Sequence, residues 1–332
     1  MDYHIIFILF VIFIAFVFDF INGFHDAANS IATIVTTGVL TPRQAVLWAA
    51  FFNFIAFMIF NLTVAQTIGY GLIDTALVDT YFILAALMGA IFWNLVTWYY
   101  GLPSSSSHAL IGGLAGAAMA KGGLSSLKIA GFAKVAAGIF LSPILGLGIG
   151  LLFTHLFTLL LRHKNEEELN TLFKSFQLIS SALLSITHGG NDAQKTMGII
   201  AVLLFSASWL DGVFYVPFWV VISCHGVISL GTLAGGWRIV HTMGTKITKL
   251  NTLKGCAAET GAAITIFAAT ECGIPVSTTH TVTGSIAGVG LISGLDGAHW
   301  KVLRRIFYSW LLTIPAAALV AAAIMIVSPA HI

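Results

Sequence analysis

Charge is what this chain has least of. Asp, Glu, Lys and Arg make up 8 % of its 332 residues, against about 25 % in a soluble domain. Hydrophobic residues reach 58 % and the mean hydropathy is +0.95, so no large soluble domain fits in this composition. The three cysteines, Cys224, Cys256 and Cys272, lie in apolar stretches. They offer neither a disulfide framework nor metal-ligand spacing and read as small buried hydrophobes. The start, Met1-Asp2-Tyr3-His4 before apolar Ile5 to Phe18, lacks the basic region and cleavage site of a signal peptide and reads as a first membrane helix. No Gly-x-Ser-x-Gly and no His-Glu-x-x-His occurs, which removes the familiar nucleophile and zinc signatures of a hydrolase. An enzyme is not expected, nor a cofactor. The net charge of +2 says little about partners, and no nucleic acid is expected.

What the chain does have is an internal repeat. Asn22-Gly23-Phe24-His25-Asp26-Ala27-Ala28-Asn29-Ser30 returns 166 residues later as His188-Gly189-Gly190-Asn191-Asp192-Ala193-Gln194-Lys195-Thr196. Gly101-Leu102-Pro103-Ser104-Ser105-Ser106-Ser107-His108 returns as Gly273-Ile274-Pro275-Val276-Ser277-Thr278-Thr279-His280. Paired polar segments inside apolar surroundings are costly and mark transporter binding sites.

A membrane crossing needs about 20 apolar residues. Candidate spans are 4–21, 44–69, 81–100, 129–161, 173–187, 197–210, 213–236, 256–271 and 302–327; the fourth is long enough to be tilted, or broken near Pro143. Segments 23–38, 103–120, 189–197 and 275–294, rich in Gly, Ser and Thr, read as poor simple spans. Residues 3–161 form a first membrane repeat, 162–174 a short, helical cytoplasmic linker, and 175–328 a second repeat. Loop 69–80 carries Asp74 and Asp79 and no Lys or Arg, whereas its counterpart 235–254 carries Arg238, Lys246, Lys249 and Lys254 and no acid. Because cytoplasmic loops are enriched in Lys and Arg, this contrast predicts inverted-topology repeats; Lys121, Lys128 and Lys134 against Lys301, Arg304 and Arg305 give no such contrast. Asp2 places the N-terminus outside. The fold class is an all-α polytopic membrane protein with two inverted-topology repeats and broken or re-entrant half-helices.

Pro103 and Pro275 each follow a glycine and a hydrophobic residue and mark new half-helices. Ser105, Ser106 and Ser107, with Ser277, Thr278 and Thr279, then sit where a helix start offers unpaired N–H groups and the positive dipole end, a ready site for a small oxyanion. Simple helix capping is the alternative. Gly112, Gly113, Gly116, Gly284 and Gly288 allow close helix packing. Asp26 and Asp192 need a counter-charge, a proton or a bound cation. Asn22, Asn29, Ser30, Asn191 and Thr196, with unwound backbone carbonyls beside flexible Gly23, Gly189 and Gly190, can complete the oxygen shell of a hard cation such as Na⁺; a structural polar network is the bland reading. Lys195, in the place of Asn29, can pair with Asp192, bind the anion or stand in for a cation, and a Lys195–Glu259 pair is equally open. Glu259 and Glu271 are candidate proton relays. His25, His108, His188, His225 and His280 do not form a dense metal box. His108 and His280 read as lining the anion path or bonding to the Asp segments, and His225 as a satisfied buried histidine.

These four motifs resemble those of the inorganic phosphate transporter family, whose duplicated signature reads roughly Gly-Ala-Asn-Asp-Val-Ala-Asn with Pro-Ser-Ser/Thr-Thr/Ser-His downstream, in order across essentially the whole chain. The departures are His25 for the usual Asn, Lys195 for the final Asn, and one intramembrane glutamate, Glu259, instead of two. The resemblance implies two inverted helical repeats, a homodimer, and symport of phosphate with Na⁺ or H⁺, in some members as a metal–phosphate complex. Asp26 and Asp192 would hold the coupling ions (Na⁺ in a Na⁺-driven protein), and the hydroxyl residues would bind phosphate or ions. A compact prokaryotic importer in the inner cell membrane is expected, with lipid and the coupling cation as its other partners. Sulfate or another tetrahedral oxyanion is the nearest alternative substrate. A passive anion channel is the alternative of another class, which paired intramembrane aspartates disfavour.

Overall fold

Helix starts are written plainly in the sequence. Thr41 and Gln44 form a capping box with Pro42 at the first helical position, and Asp79, Asn165 and Asn251 each accept a backbone N–H at the start of a long helix. Such caps satisfy amides that a helix cannot satisfy itself. The computed structural model describes residues 3–327; Asp2, on which an outside N-terminus rests, and residue 328, the expected end of the second repeat, lie outside them. The described residues form twelve α-helices and no strand. In chain order these are α1 (Tyr3–Thr36), α2 (Pro42–Ile55), α3 (Thr63–Tyr70), α4 (Thr80–Tyr99), α5 (Ser106–Gly122) and α6 (Ile129–Leu160), then α7 (Glu166–Ser206), α8 (Phe218–Ala234), α9 (Trp237–Thr245), α10 (Thr252–Glu271), α11 (Thr278–Gly290) and α12 (Trp300–Val327). The second six repeat the first in kind and order.

Helices α1, α4, α6 and α12 are long and apolar enough to cross a membrane, and the pairs α2–α3 and α8–α9, bent by 83° and 72°, give up to six crossings by length and composition. Several boundaries differ from those expected. Spans 173–187 and 197–210 are one helix, α7, and the first span runs on through 23–36 within α1. The Gly-Asp segments are therefore helical, not unwound. Their glycines serve contact instead of flexibility: a Cβ at Gly23 would collide with the Ile228 carbonyl, and one at Gly189 with the Asn53 backbone. Pro143 does not break α6, which is continuous around it; neighbouring groups can satisfy the carbonyl a membrane proline frees. In the expected linker only the first few residues are non-helical, because Asn165 caps α7 and helix begins at Glu166.

The true breaks lie at the Pro-hydroxyl segments. After α4, Gly101 turns left-handed (φ +61°); its N–H reaches the Trp98 carbonyl and that of Leu102 reaches Thr97. After α10, Gly273 (φ +60°) and Ile274 make the same pair of bonds. This is a Schellman stop with proline just beyond. Helix restarts at Ser106 and Thr278, three residues after each proline and not at it.

The halves pack reciprocally. Helix α5 lies on α12 while α11 lies on α6, α1 lies on α8 while α7 lies on α2, and α4 meets α12 while α10 meets α6. Such exchange is the mark of a two-fold relation. The apolar core falls into two clusters. Helix α1 leaves the first at Phe18 and enters the second at Ala27; α7 enters from the second at Leu184 and continues into the first at Ala193. The polar motifs occupy the crossings.

The glycines downstream of the hydroxyl segments make the reciprocal contacts close. A side chain at Gly116 would meet the Ala318 carbonyl on α12, and one at Gly288 the Leu147 carbonyl on α6. Gly116→Val is expected to lower stability by about 1–3 kcal/mol, the usual cost of overpacking. Gly148→Val, where nothing lies within 4 Å, should leave it unchanged. Heating followed by size-exclusion chromatography in detergent checks both.

Candidate functional site

Four elements bring their polar side chains to one place. Helices α1 and α7 contribute stripes at three- and four-residue spacing: Asp19, Asn22, Asp26, Asn29 and Thr33 on one, Gln177, Ser180, His188, Asn191, Asp192 and Lys195 on the other, all buried. Between them point the first turns of α5 and α11.

The connections are direct. Asn29 donates from its carboxamide to the hydroxyls of Thr278 and Thr279, both at 3.1 Å. Thr279 donates to Asp26 Oδ1 at 3.1 Å, and Thr278 to Asp192 Oδ2 at 3.1 Å. Lys195 Nζ donates to Asp192 Oδ1, to Ser107 Oγ and to the Val276 carbonyl, the last at 3.0 Å. His25 Nδ1 lies 2.8 Å from Asp26 Oδ1 and its Nε2 3.1 Å from Thr97 Oγ1. His188 Nε2 lies 3.3 Å from Asp192 Oδ2, and its Nδ1 3.1 Å from Asn53 Oδ1. Asp26 and Asp192 are thus both held by donors.

Asp26, Asn29, Asp192, Lys195, Ser107, Thr278 and Thr279 therefore form one network. Ser106 lies in the first turn of α5, its hydroxyl buried without a partner. Ser105 and Ser277 cap their helices, accepting the N–H of His108 and His280 at 3.2 and 3.1 Å, so the capping alternative holds for those two. Asn191 donates to Thr270 at 2.8 Å and Thr196 to Asp19 at 2.8 Å. Glu259 does not meet Lys195; it accepts from Ser180 at 2.5 Å, Thr33 at 2.6 Å and Gln177 at 2.9 Å, in a separate polar cage. Glu271 is exposed at the end of α10 and lines a groove with Lys134, which removes its reading as a buried relay. His108 and His280 do not reach the aspartates. Their rings meet edge to face at 4.4 Å, and His280 stacks on Trp310 at 3.7 Å. His225 is satisfied by the Asn53 carbonyl at 3.0 Å.

Sequence reasoning passed over Asp19, Thr33, Gln177 and Ser180. The signal was there: Asp19 and Thr33 each extend the α1 stripe by one helical turn, and Ser180 and Gln177 lie two and three turns before His188 on α7.

Chemically, the site can hold cations. Asp26, His188 and Asp192 each bring a ligand atom within 4.8 Å of the others. Asn22 Oδ1, Asn29 Oδ1 and Asn191 Oδ1 are buried oxygens without a hydrogen-bond partner, the kind of atom a hard cation takes as ligand. The first turns of α5 and α11 present unpaired amides beside Ser106, Ser107, Thr278 and Thr279, suited to an oxyanion.

Comparison with known proteins points the same way. The sequence profile described as "Phosphate transporter family" matches residues 22–321. A protein of Rhizobium meliloti (strain 1021) named "Probable low-affinity inorganic phosphate transporter" is 58 % identical over 309 residues, spanning 93 % of this chain and 92 % of its own length. One of the same name from Bacillus subtilis (strain 168) is 44 % identical over 321 residues, 96 % of each chain. Among solved structures, "The sodium-dependent phosphate transporter" is similar with a TM-score of 0.89 at 27 % identity, over 96 % of this chain and 98 % of that one.

Lys195 and Asp192 form a fully buried ion pair, and removing one partner of such a pair strands the other charge. Lys195→Met is expected to destabilise by about 3–5 kcal/mol. Adding Asp192→Asn should recover most of the loss, as a double-mutant cycle on thermal unfolding in detergent will show.

Proposed function

Because the chain belongs to the phosphate transporter family, we propose that it imports inorganic phosphate across the inner cell membrane by symport with a cation, Na⁺ or H⁺. One observation carries this reading: the first turns of two half-helices and the carboxylates of two long helices meet in a single buried network. Phosphate lies against the first turns of α5 and α11, held by Ser106, Ser107, Thr278 and Thr279 and the adjacent amides. Asp26 and Asp192, with Asn29, hold positive charge beside it and offset the charge of the dianion. Asn22, Asn191 and Thr196 orient the same stretch of α1 and α7. Lys195 contributes its charge to the anion's surroundings.

Glu259 is the candidate proton carrier of an H⁺-driven cycle, since it is a buried carboxyl with three donors and, among the described residues, no cationic partner within hydrogen-bonding distance. A metal–phosphate complex is the second reading, and the convergence of Asp26, His188 and Asp192 favours it. The opposite loop charges and the opposite passage of α1 and α7 between the two core clusters support inversion of the halves, with repeats at 3–161 and 175–328. Alternating access then follows from movement of one group of helices against the rest, because the network is buried at every residue. Assembly as a homodimer belongs to the same proposal and rests on the family resemblance.

Radiolabelled phosphate uptake into proteoliposomes, with a Na⁺ gradient and a pH gradient imposed separately, tests this. Uptake driven by one of them and reduced at least about tenfold in Asp26→Asn and Asp192→Asn is expected, the loss that about 1.4 kcal/mol produces. Uptake indifferent to both gradients would make the protein a passive channel. Sulfate uptake in place of phosphate would move the assignment to another oxyanion, and a divalent-cation requirement would favour the metal–phosphate complex.

A further inference from the structure

The duplication makes the two sides of the site comparable atom by atom. Asp26 corresponds to Asp192 and Asn29 to Lys195, 166 residues apart; Ser104 corresponds to Val276 and Ser107 to Thr279, 172 apart. The bonds follow the correspondence. Lys195 reaches Ser107, and Asn29 reaches Thr279. Asp192 and Asp26 sit one turn before them on α7 and α1.

On the second-half side the Lys195 ammonium is enclosed by a carboxylate oxygen of Asp192, the hydroxyl of Ser107 and the carbonyl of Val276. Carboxylate, hydroxyl and backbone carbonyl are the oxygen types that ligate Na⁺ in transporters. An ammonium has three N–H donors and no acceptor, and here all three are used by protein oxygens. Lys195 is 1 % exposed, so it has no donor left for an anion in this conformation. On the first-half side the corresponding residue is neutral. Asn29 Oδ1 is buried without a partner, and Asp26 and Thr279 stand beside it.

We propose that Lys195 is a tethered cation: its ammonium permanently fills one of two pseudo-symmetric cation positions, and the position at Asp26, Asn29 and Thr279 is the one whose ion exchanges. This rests on the reading of the site as cation-coupled. A charge fixed to α7 cannot be released with phosphate. Each phosphate therefore moves with one cation fewer than in a protein whose two positions both exchange. The same tether gives Asp192 a counter-charge throughout the cycle, whereas Asp26 depends on what binds.

The test restores the first-half residue in the second half, Lys195→Asn, in the full-length protein. In proteoliposomes at fixed pH and clamped membrane potential, the Na⁺ order of phosphate uptake should rise by about one over the wild type. It should do so whether the wild type's exchangeable ion is Na⁺ or H⁺. In detergent without phosphate, Lys195→Asn should have a lower Tm than wild type in choline chloride, and Na⁺ should raise it by more than it raises wild type, as binding to the folded state alone requires. Asn29→Lys should do the reverse, with uptake and Tm losing their response to the exchangeable ion. Uptake by Lys195→Asn with the wild-type Na⁺ order would overturn the proposal. A variant inactive in uptake is still decided by Tm: no extra Na⁺ response assigns Lys195 a structural role only. Absence of gradient-driven phosphate uptake in the wild type would sink the symport reading instead, and leave the Na⁺ response of Lys195→Asn to decide the tether.

Discussion

A carboxylate in the middle of a bilayer has no water to turn to. On insertion scales it costs about 2.5–3.5 kcal/mol at a helix centre, and the cost falls only as protein groups replace the missing solvent. Asp26 and Asp192 obtain those groups from α11, distant in the chain, which brings threonines, and from their own helices, which bring a lysine on the next turn and the histidines beside them. After α10 the helix has to stop and restart as α11 near these aspartates to deliver its hydroxyls, and α1 and α7 have to cross there. The Schellman stops at Gly101 and Gly273, the caps at Ser105 and Ser277 and the close glycine contacts of α5 and α11 all serve that placement.

The two halves solve the problem differently, and the differences are informative because the backbone plan is shared. Glu259 with Thr33, Gln177 and Ser180 forms a polar cage in which every carboxylate oxygen is engaged. Its counterparts by repeat spacing are Leu87, Ile199, Val11 and Ile14, all part of, or packed against, the first apolar cluster. Four positions changed together from polar to apolar, or the reverse, as they must when none can be left unsatisfied. One half has a titratable cage and the other a greasy plug at the same place.

Much of this was legible in the sequence, and what was not has physical reasons. The class followed from the scarcity of charge, and the site from polar residues repeated at matching intervals. Glycine misled because in the Gly-Asp segments it reads as a point of flexibility, whereas Gly23 and Gly189 let another backbone approach and lie within continuous helices. Proline misled twice. Pro143 sits inside α6 without breaking it, and the restart after Pro103 and Pro275 waits for the capping serine. His108 and His280 lie one residue past the hydroxyls that meet the site, and about 100° per residue around a helix turns them to the back, against each other and Trp310. Which oxygen meets Lys195 depends on the crossing of α5, α7 and α11, and no local pattern encodes that.

The reciprocal packing also bears on how the chain is made. The glycine face of α5, formed early in synthesis, is closed by α12, the last of the described helices. The first half can thread into the bilayer as it emerges with α4 already against α5, but the face of Gly112 and Gly116 has no cover until α12 has followed. Consolidation of that seam therefore waits for the second half, and until α12 arrives the nascent chain holds an uncovered glycine seam in the bilayer, open to whatever guards unfinished membrane proteins.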